Sequence, residues 1–117
     1  MRKDNTMTNI LDSIKKLLGI SSDYDDFDTD IIMHINSVLS TIAQIGVGPK
    51  EGFTIDQSSI WSEFIVDSLT LNLVKSYVYL KVRLLFDPPQ SSAVLNAINA
   101  QISELEWRIS VESKSTS

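Results

Sequence analysis

The polar side chains that could do chemistry in this sequence are few and scattered. Glu63 and Asp67 lie one helical turn apart, a spacing at which two carboxylates can share general acid and base roles. The only histidine, His34, is distant in sequence, and no nucleophile motif accompanies the pair. Carboxylates one turn apart are more often a solvated strip of a helix, and His34 is interpreted as a surface residue. We therefore expect no enzyme, no catalytic residue and no bound cofactor.

A second candidate for chemistry is an acidic run of five aspartates within eight residues, SSDYDDFDTD. In an EF-hand register with Asp26, Asp28 and Asp30 at positions 1, 3 and 5, Ile31 replaces the required glycine and Ser37 replaces the bidentate glutamate. The chain also lacks cysteine, so no metal site is predicted. The run is interpreted as a solvated connector whose last aspartates cap the next helix.

Composition points to a small helical protein. The 117 residues suit one domain, and only 4 glycines and 3 prolines favour helices over a turn-rich β fold. The net charge of −5 argues against a basic face that grips nucleic acid. Charged residues interrupt the only long apolar segment, so we expect no membrane insertion.

The secondary-structure elements that carry these residues are all predicted to be α-helices. Apolar periodicity predicts four helices at about 9–18, 29–45, 59–86 and 92–112, arranged around the long third helix. Thr8 and either Ser91 or Ser92 are the predicted N-caps, and Gly19 and Gly46 the predicted stops. On the first helix, Leu17 is predicted to join the core face and Lys15 to face solvent. Residues 1–112 are predicted to form one domain, and residues 113–117 a disordered tail.

The third and fourth predicted helices are apolar on two faces. Either the third helix lies mid-bundle and both faces are covered within the chain, or one face packs against a neighbouring subunit. Trp107, off the main stripe of the last helix, favours self-association. The candidate subunit interface comprises Ala93, Ala97, Ala100, Trp107, Val111, Ile60, Phe64, Leu71 and Val78.

The connector 46–57, GVGPKEGFTIDQ, carries turn residues followed by a segment of β character. It lacks the GK[ST] ending of a phosphate-binding loop. We expect a short hairpin or an extended arm. Its apolar tip, Phe53, Thr54 and Ile55, either contacts a partner or folds back on the core.

Four segments together resemble a known family. They are INSVLSTIAQIGVGP after the acidic run, IWSEF, VKSYVYLKVRLLFDPP and the closing ISELEWR. In this combination, over about Thr8 to Glu112, the sequence looks like the tailed-phage head–tail connectors, whose members are also described as phage or prophage DNA-packaging proteins. The most specific part is YVYLKVRLLFDPP followed by ELEWR.

The resemblance implies a non-enzymatic, mostly helical subunit of a dodecameric ring beneath the portal protein. Such a ring extends the DNA channel, helps to retain packaged DNA without reading its sequence, and docks the next connector or tail-completion protein. The location implied is the virion head–tail junction, with assembly in the bacterial cytoplasm. From composition alone, a helical interaction adaptor of a bacterial cell, without a virion role, stays an alternative.

Overall fold

The computed structural model describes residues 9–65 and 67–116, and this part of the chain is all α. The helices are α1 (Ile10–Leu18), α2 (Asp28–Ile45), α3 (Trp61–Phe64), α4 (Ser68–Phe86) and α5 (Ser92–Thr116). The β pairing within the described ranges is an isolated bridge between Asn9 and Ile60. The all-α prediction is therefore confirmed, with five helices in place of four.

The ends of α1 and α2 follow local chemistry. Asn9 caps α1, because its side chain accepts a hydrogen bond from the Asp12 N–H; the predicted cap, Thr8, lies outside the described residues. Gly19 (φ 84°) and Gly46 (φ 107°) adopt the left-handed conformation that ends each helix as predicted. The residue at the N-cap position of α2 is Phe27, with no side-chain capping bond, so the prediction that an aspartate caps this helix is wrong.

The predicted continuous helix over 59–86 is broken before Asp67. Ile65 is extended (φ −152°, ψ 138°) and separates the single turn of α3 from α4. The Glu63 carboxylate accepts from the Ile60 N–H, and the Asp67 carboxylate accepts from the Thr70 N–H. The two acids predicted to share one helix therefore serve two separate helix N-termini, where backbone N–H groups need acceptors. The long helix is correspondingly shortened to the 19 residues of α4.

Removal of the Asp67 cap gives the first testable expectation. Hydrogen bonds from the Thr70 side chain and from the Thr70 backbone N–H hold the pKa of Asp67 below its ordinary value. We expect Asp67→Ala to lower Tm by a few degrees at pH 7, whereas Asp67→Asn, which keeps an acceptor, retains most of the stability. The cap stabilises the folded state only while the Asp67 carboxylate is ionised. The difference in Tm between wild type and Asp67→Ala should therefore close as pH falls below about 4. Thermal unfolding followed by circular dichroism measures it, with the exposed Asn72→Ala as control, and equal Tm values at pH 7 would contradict the role.

The core lies between α1, α2, α4 and α5, with α4 packed against the other three. Both apolar stripes of α4 are covered within the chain, except at its ends, where Leu69 and Leu85 are exposed. The chain itself thus covers most of the apolar side chains that are described on α4. The fully buried core side chains include Ile10, Ile14, Ile31, Ile35, Ile42, Val74, Tyr77, Val78, Val82 and Ile109.

The last helix is longer than predicted. It continues to Thr116 instead of ending at 112, and the Ser113 hydroxyl donates to the Gly46 carbonyl oxygen at 3.2 Å. This contact joins the end of α5 to the end of α2. The predicted disordered tail is therefore wrong for residues 113–116, which are helical. None of the helices described here has the length and apolarity to cross a membrane.

Candidate functional site

The outer face of α5 is an uncovered, largely apolar surface that is interrupted by the exposed Glu104. The buried side of the helix carries Ile98, Ile102 and Ile109. At about 100° per residue, the opposite side carries the exposed residues Ala93, Ala97, Ala100, Trp107 and Val111. Trp107 is 68% exposed, the highest value among the exposed large hydrophobic residues of the described chain. Tryptophan is one of the residues enriched at protein–protein interfaces.

The other four residues of the predicted interface are buried or half-buried. Phe64 and Val78 are buried at 5% and 0% exposure, and Ile60 and Leu71 are half-buried. Phe64 on α3 and Val78 on α4 are part of the hydrophobic core. The structure keeps only the α5 members of the candidate set together on one open face.

The apolar tip of the 46–57 connector folds back on the core. Ile55 is buried, and its N–H donates to the Asn36 side-chain oxygen at 2.7 Å. The Phe53 ring packs on Phe64 with centroids 5.2 Å apart, whereas Thr54 is exposed. No hairpin forms in this connector. Of the two alternatives for the tip, the structure has the inward one, because Asn36 on α2 satisfies the backbone of the loop.

A groove between α1, α4 and α5 was not anticipated from the sequence. It encloses about 420 Å³, within the range of roughly 300–1,000 Å³ typical of ligand clefts. Leu17, predicted to join the core, is instead 53% exposed at its edge. The apolar residues that line it are Leu17, Tyr79, Leu80 and Leu105. The polar residues that line it are Lys75, Ser76, Gln101, Glu104 and Arg108. No periodicity argument could find it, because its walls come from three helices.

The acidic run is organised around a buried lysine. Lys15, predicted to face solvent, is 0% exposed, and its Nζ lies 2.8 Å from a carboxylate oxygen of Asp28. The same ammonium donates to the carbonyl oxygens of Tyr24 and Ser22 at 2.7 and 3.3 Å. The connector is therefore not simply solvated: a cation of the chain itself takes three oxygen partners from it. The polar face of an isolated α1 carries no signal that Lys15 will be covered.

A single hydrogen bond between side chains helps to hold α5 on α4. The Tyr77 hydroxyl donates to a carboxylate oxygen of Glu106 at 2.7 Å. Burial, and then the bond to Glu106, raise the pKa of Tyr77 well above its ordinary value. The sequence predicted Tyr77 in an apolar stripe but not its polar partner one helix away.

This bond predicts a pH dependence at alkaline pH. Because the folded protein keeps the Tyr77 proton that the unfolded chain releases near pH 10, the contribution is complete below that pH and is lost as pH rises above it. Tyr77→Phe should cost about 1 to 2 kcal/mol at pH 7 and flatten the alkaline loss of stability. Urea unfolding from pH 7 to 11 tests this, with Tyr79→Phe, a half-buried tyrosine on the same helix, as control. An unchanged alkaline slope in Tyr77→Phe would refute it.

The described residues contain no group of three or more metal-binding side chains placed to hold an ion. His34 lies half-buried on α2, and Glu63 and Asp67 bind backbone N–H groups. The prominent surface features described above are the outer face of α5 and the groove between α1, α4 and α5.

Fold and surface together define a small all-α protein with an exposed tryptophan on the outer face of its last helix. A family model described as Phage connector protein matches residues 10–116, and the chain belongs to that family. No curated protein and no solved structure matches it. Membership identifies a structural, non-enzymatic component of the phage particle that associates with other head and tail proteins.

Proposed function

We propose that this chain is a head–tail connector subunit that assembles as a ring beneath the portal protein. The ring extends the DNA channel, helps to retain packaged DNA and offers a docking surface for the next connector or tail-completion protein. The family match over residues 10–116 supports this proposal. The structural observation that carries it is the outer face of α5, where Trp107 is 68% exposed.

Subunits of the proposed ring meet through the α5 outer face. Ala93, Ala97 and Ala100 let a neighbouring backbone approach closely, and Trp107 supplies the large apolar area typical of an interface anchor. Burying this face also removes an exposed apolar surface that a soluble chain has reason to cover. Phe64 and Val78, which belong to the core, have no part in the contact.

The proposed channel lets DNA pass without gripping it. The chain carries a net charge of −5, so a ring of copies contributes repulsion, not neutralisation, along the phosphate backbone. DNA passes without base recognition, since sequence readout requires side chains that enter a groove of the duplex. A binding titration with duplex DNA should accordingly give no sequence preference.

The test is reconstitution with the portal protein encoded in the same genome. Mixed with correctly assembled portal rings, the chain should add a second ring, dodecameric by electron microscopy, on one face of the portal. Trp107→Glu should abolish or fragment that ring, whereas Met33→Glu, at a 61% exposed position on α2, should leave it intact. Intact portal rings that bind no chain would overturn the proposal.

A further inference from the structure

We propose that the groove between α1, α4 and α5 receives Trp107 of a second copy of this chain. The inference rests on the proposed ring and deepens it, since it assigns both halves of the subunit contact. One copy contributes the exposed indole of its α5 outer face. The neighbouring copy contributes the groove bordered by Leu17, Tyr79 and Leu105.

The groove has room and apolar side chains for an indole. Leu17, Tyr79, Leu80 and Leu105 form its apolar lining, within a volume of about 420 Å³. Leu17 is 53% exposed there and Trp107 is 68% exposed on its own face. Insertion would remove both exposed side chains from water in one contact, which is the arrangement found at interface hot spots.

The polar rim of the groove matches the electrostatics of a tryptophan. Lys75 and Arg108 lie on it, and cations are attracted to the electron-rich face of an indole. Lys75 already lies over one such ring, with its Nζ 5.6 Å from the Trp61 ring centroid. Glu104 supplies a carboxylate that can accept the indole N–H, because its ion pair with Arg108 is long, 3.8 Å, and solvent-exposed.

The indole and the groove point in different directions from one subunit, as a ring demands. On α5, the groove residues Gln101, Glu104, Leu105 and Arg108 lie roughly 60 to 160° around the helix axis from Trp107. Contact between two different patches is head-to-tail, and repetition of it closes a ring or extends a filament. A contact of the Trp107 face with itself would stop at a dimer.

Cross-linking can test this pairing because the chain contains no cysteine. Ser103, one turn before Trp107, and Ser76, on the groove, are both exposed serines whose replacement by cysteine changes little volume. A short bifunctional thiol reagent should join a Ser103→Cys chain to a Ser76→Cys chain as a covalent dimer. The double variant Ser76→Cys/Ser103→Cys should give a ladder of oligomers. The reaction is run at high protein concentration, and again with the portal protein present.

Two substitutions and three controls isolate the contact. Trp107→Ala in the Ser103→Cys chain, or Leu17→Glu in the Ser76→Cys chain, should lower cross-link yield about tenfold or more at subsaturating concentration. Met33→Ala and Leu69→Glu, at comparably exposed positions, should not. When the Ser103→Cys chain is mixed with a Ser40→Cys chain, whose cysteine lies on α2, only background cross-linking should be seen.

The outcomes separate this inference from the ring proposal. Rings on the portal without a cross-link between positions 76 and 103 would refute the Trp107–groove pairing and leave the ring standing. Covalent dimers formed by Ser103→Cys alone, with no ladder from the double variant, would mean that the α5 face pairs with itself. A ladder without portal binding would support the pairing and overturn the placement beneath the portal.

Discussion

Lys15→Met is expected to lower the free energy of unfolding by about 3 kcal/mol or more. The substitution keeps the length of the side chain but removes the ammonium that lies 2.8 Å from Asp28 and donates to Ser22 and Tyr24. The side chain of Asp28 is only 11% exposed. Its carboxylate would lose its counter-ion, and the carbonyl oxygens of Ser22 and Tyr24 would lose their hydrogen-bond donor. Breaking one half of a buried pair costs more than the pair contributes.

The reference for this prediction is the neighbouring lysine. Lys16 is exposed, so Lys16→Met should change stability by no more than about 0.5 kcal/mol. Asp28→Leu alone should be costly because it strands the ammonium, whereas Lys15→Met/Asp28→Leu should cost clearly less than the two single changes added together. Urea unfolding of the wild type and these four variants at pH 7 gives the double-mutant cycle for Lys15 and Asp28, together with its Lys16 control. Equal stability of the Lys15 and Lys16 variants would show that the connector does not depend on its internal cation.

Trp61→Ala is expected to lower the free energy of unfolding by about 3 to 5 kcal/mol. Trp61 is 2% exposed, and its indole N–H donates to the Ser13 hydroxyl at 2.9 Å. Lys75 lies over its ring. Removal of the indole would leave a cavity between α1, α3 and α4 and detach the short helix α3 from the core.

The second tryptophan is the control for the first. Trp107→Ala, at a 68% exposed position, should leave monomer stability within about 0.5 kcal/mol of wild type while it impairs assembly. Trp61→Phe should fall between the two because it keeps most of the buried ring but loses the bond to Ser13. Urea unfolding should be followed by far-ultraviolet circular dichroism, because each of these variants removes one of the two tryptophans that fluorescence would detect. Similar losses for Trp61→Ala and Trp107→Ala would contradict this division between core and interface.

Local signals in the sequence were enough for most helix positions. Gly19 and Gly46 ended their helices where predicted, because only glycine adopts the left-handed conformation without strain. Ser91 was one of two predicted caps, and its hydroxyl accepts from the Val94 N–H. The break before Asp67 was missed, because the apolar residues continue across it. Hydrophobic periodicity also contains no information about which backbone N–H groups a carboxylate will bind.

The sequence by itself determined the all-α class, most helix positions, the exposed Trp107 face of α5 and the resemblance to phage connectors. Each of these depends on residues close together in the chain or on their order along it. Tertiary structure decided which apolar faces are covered, moving Phe64 and Val78 into the core and Leu17 to the edge of a groove. It also decided that Lys15 is buried among oxygens of the acidic run. These outcomes depend on which helices meet, and a pattern read along one helix carries no information about the surface that will cover it.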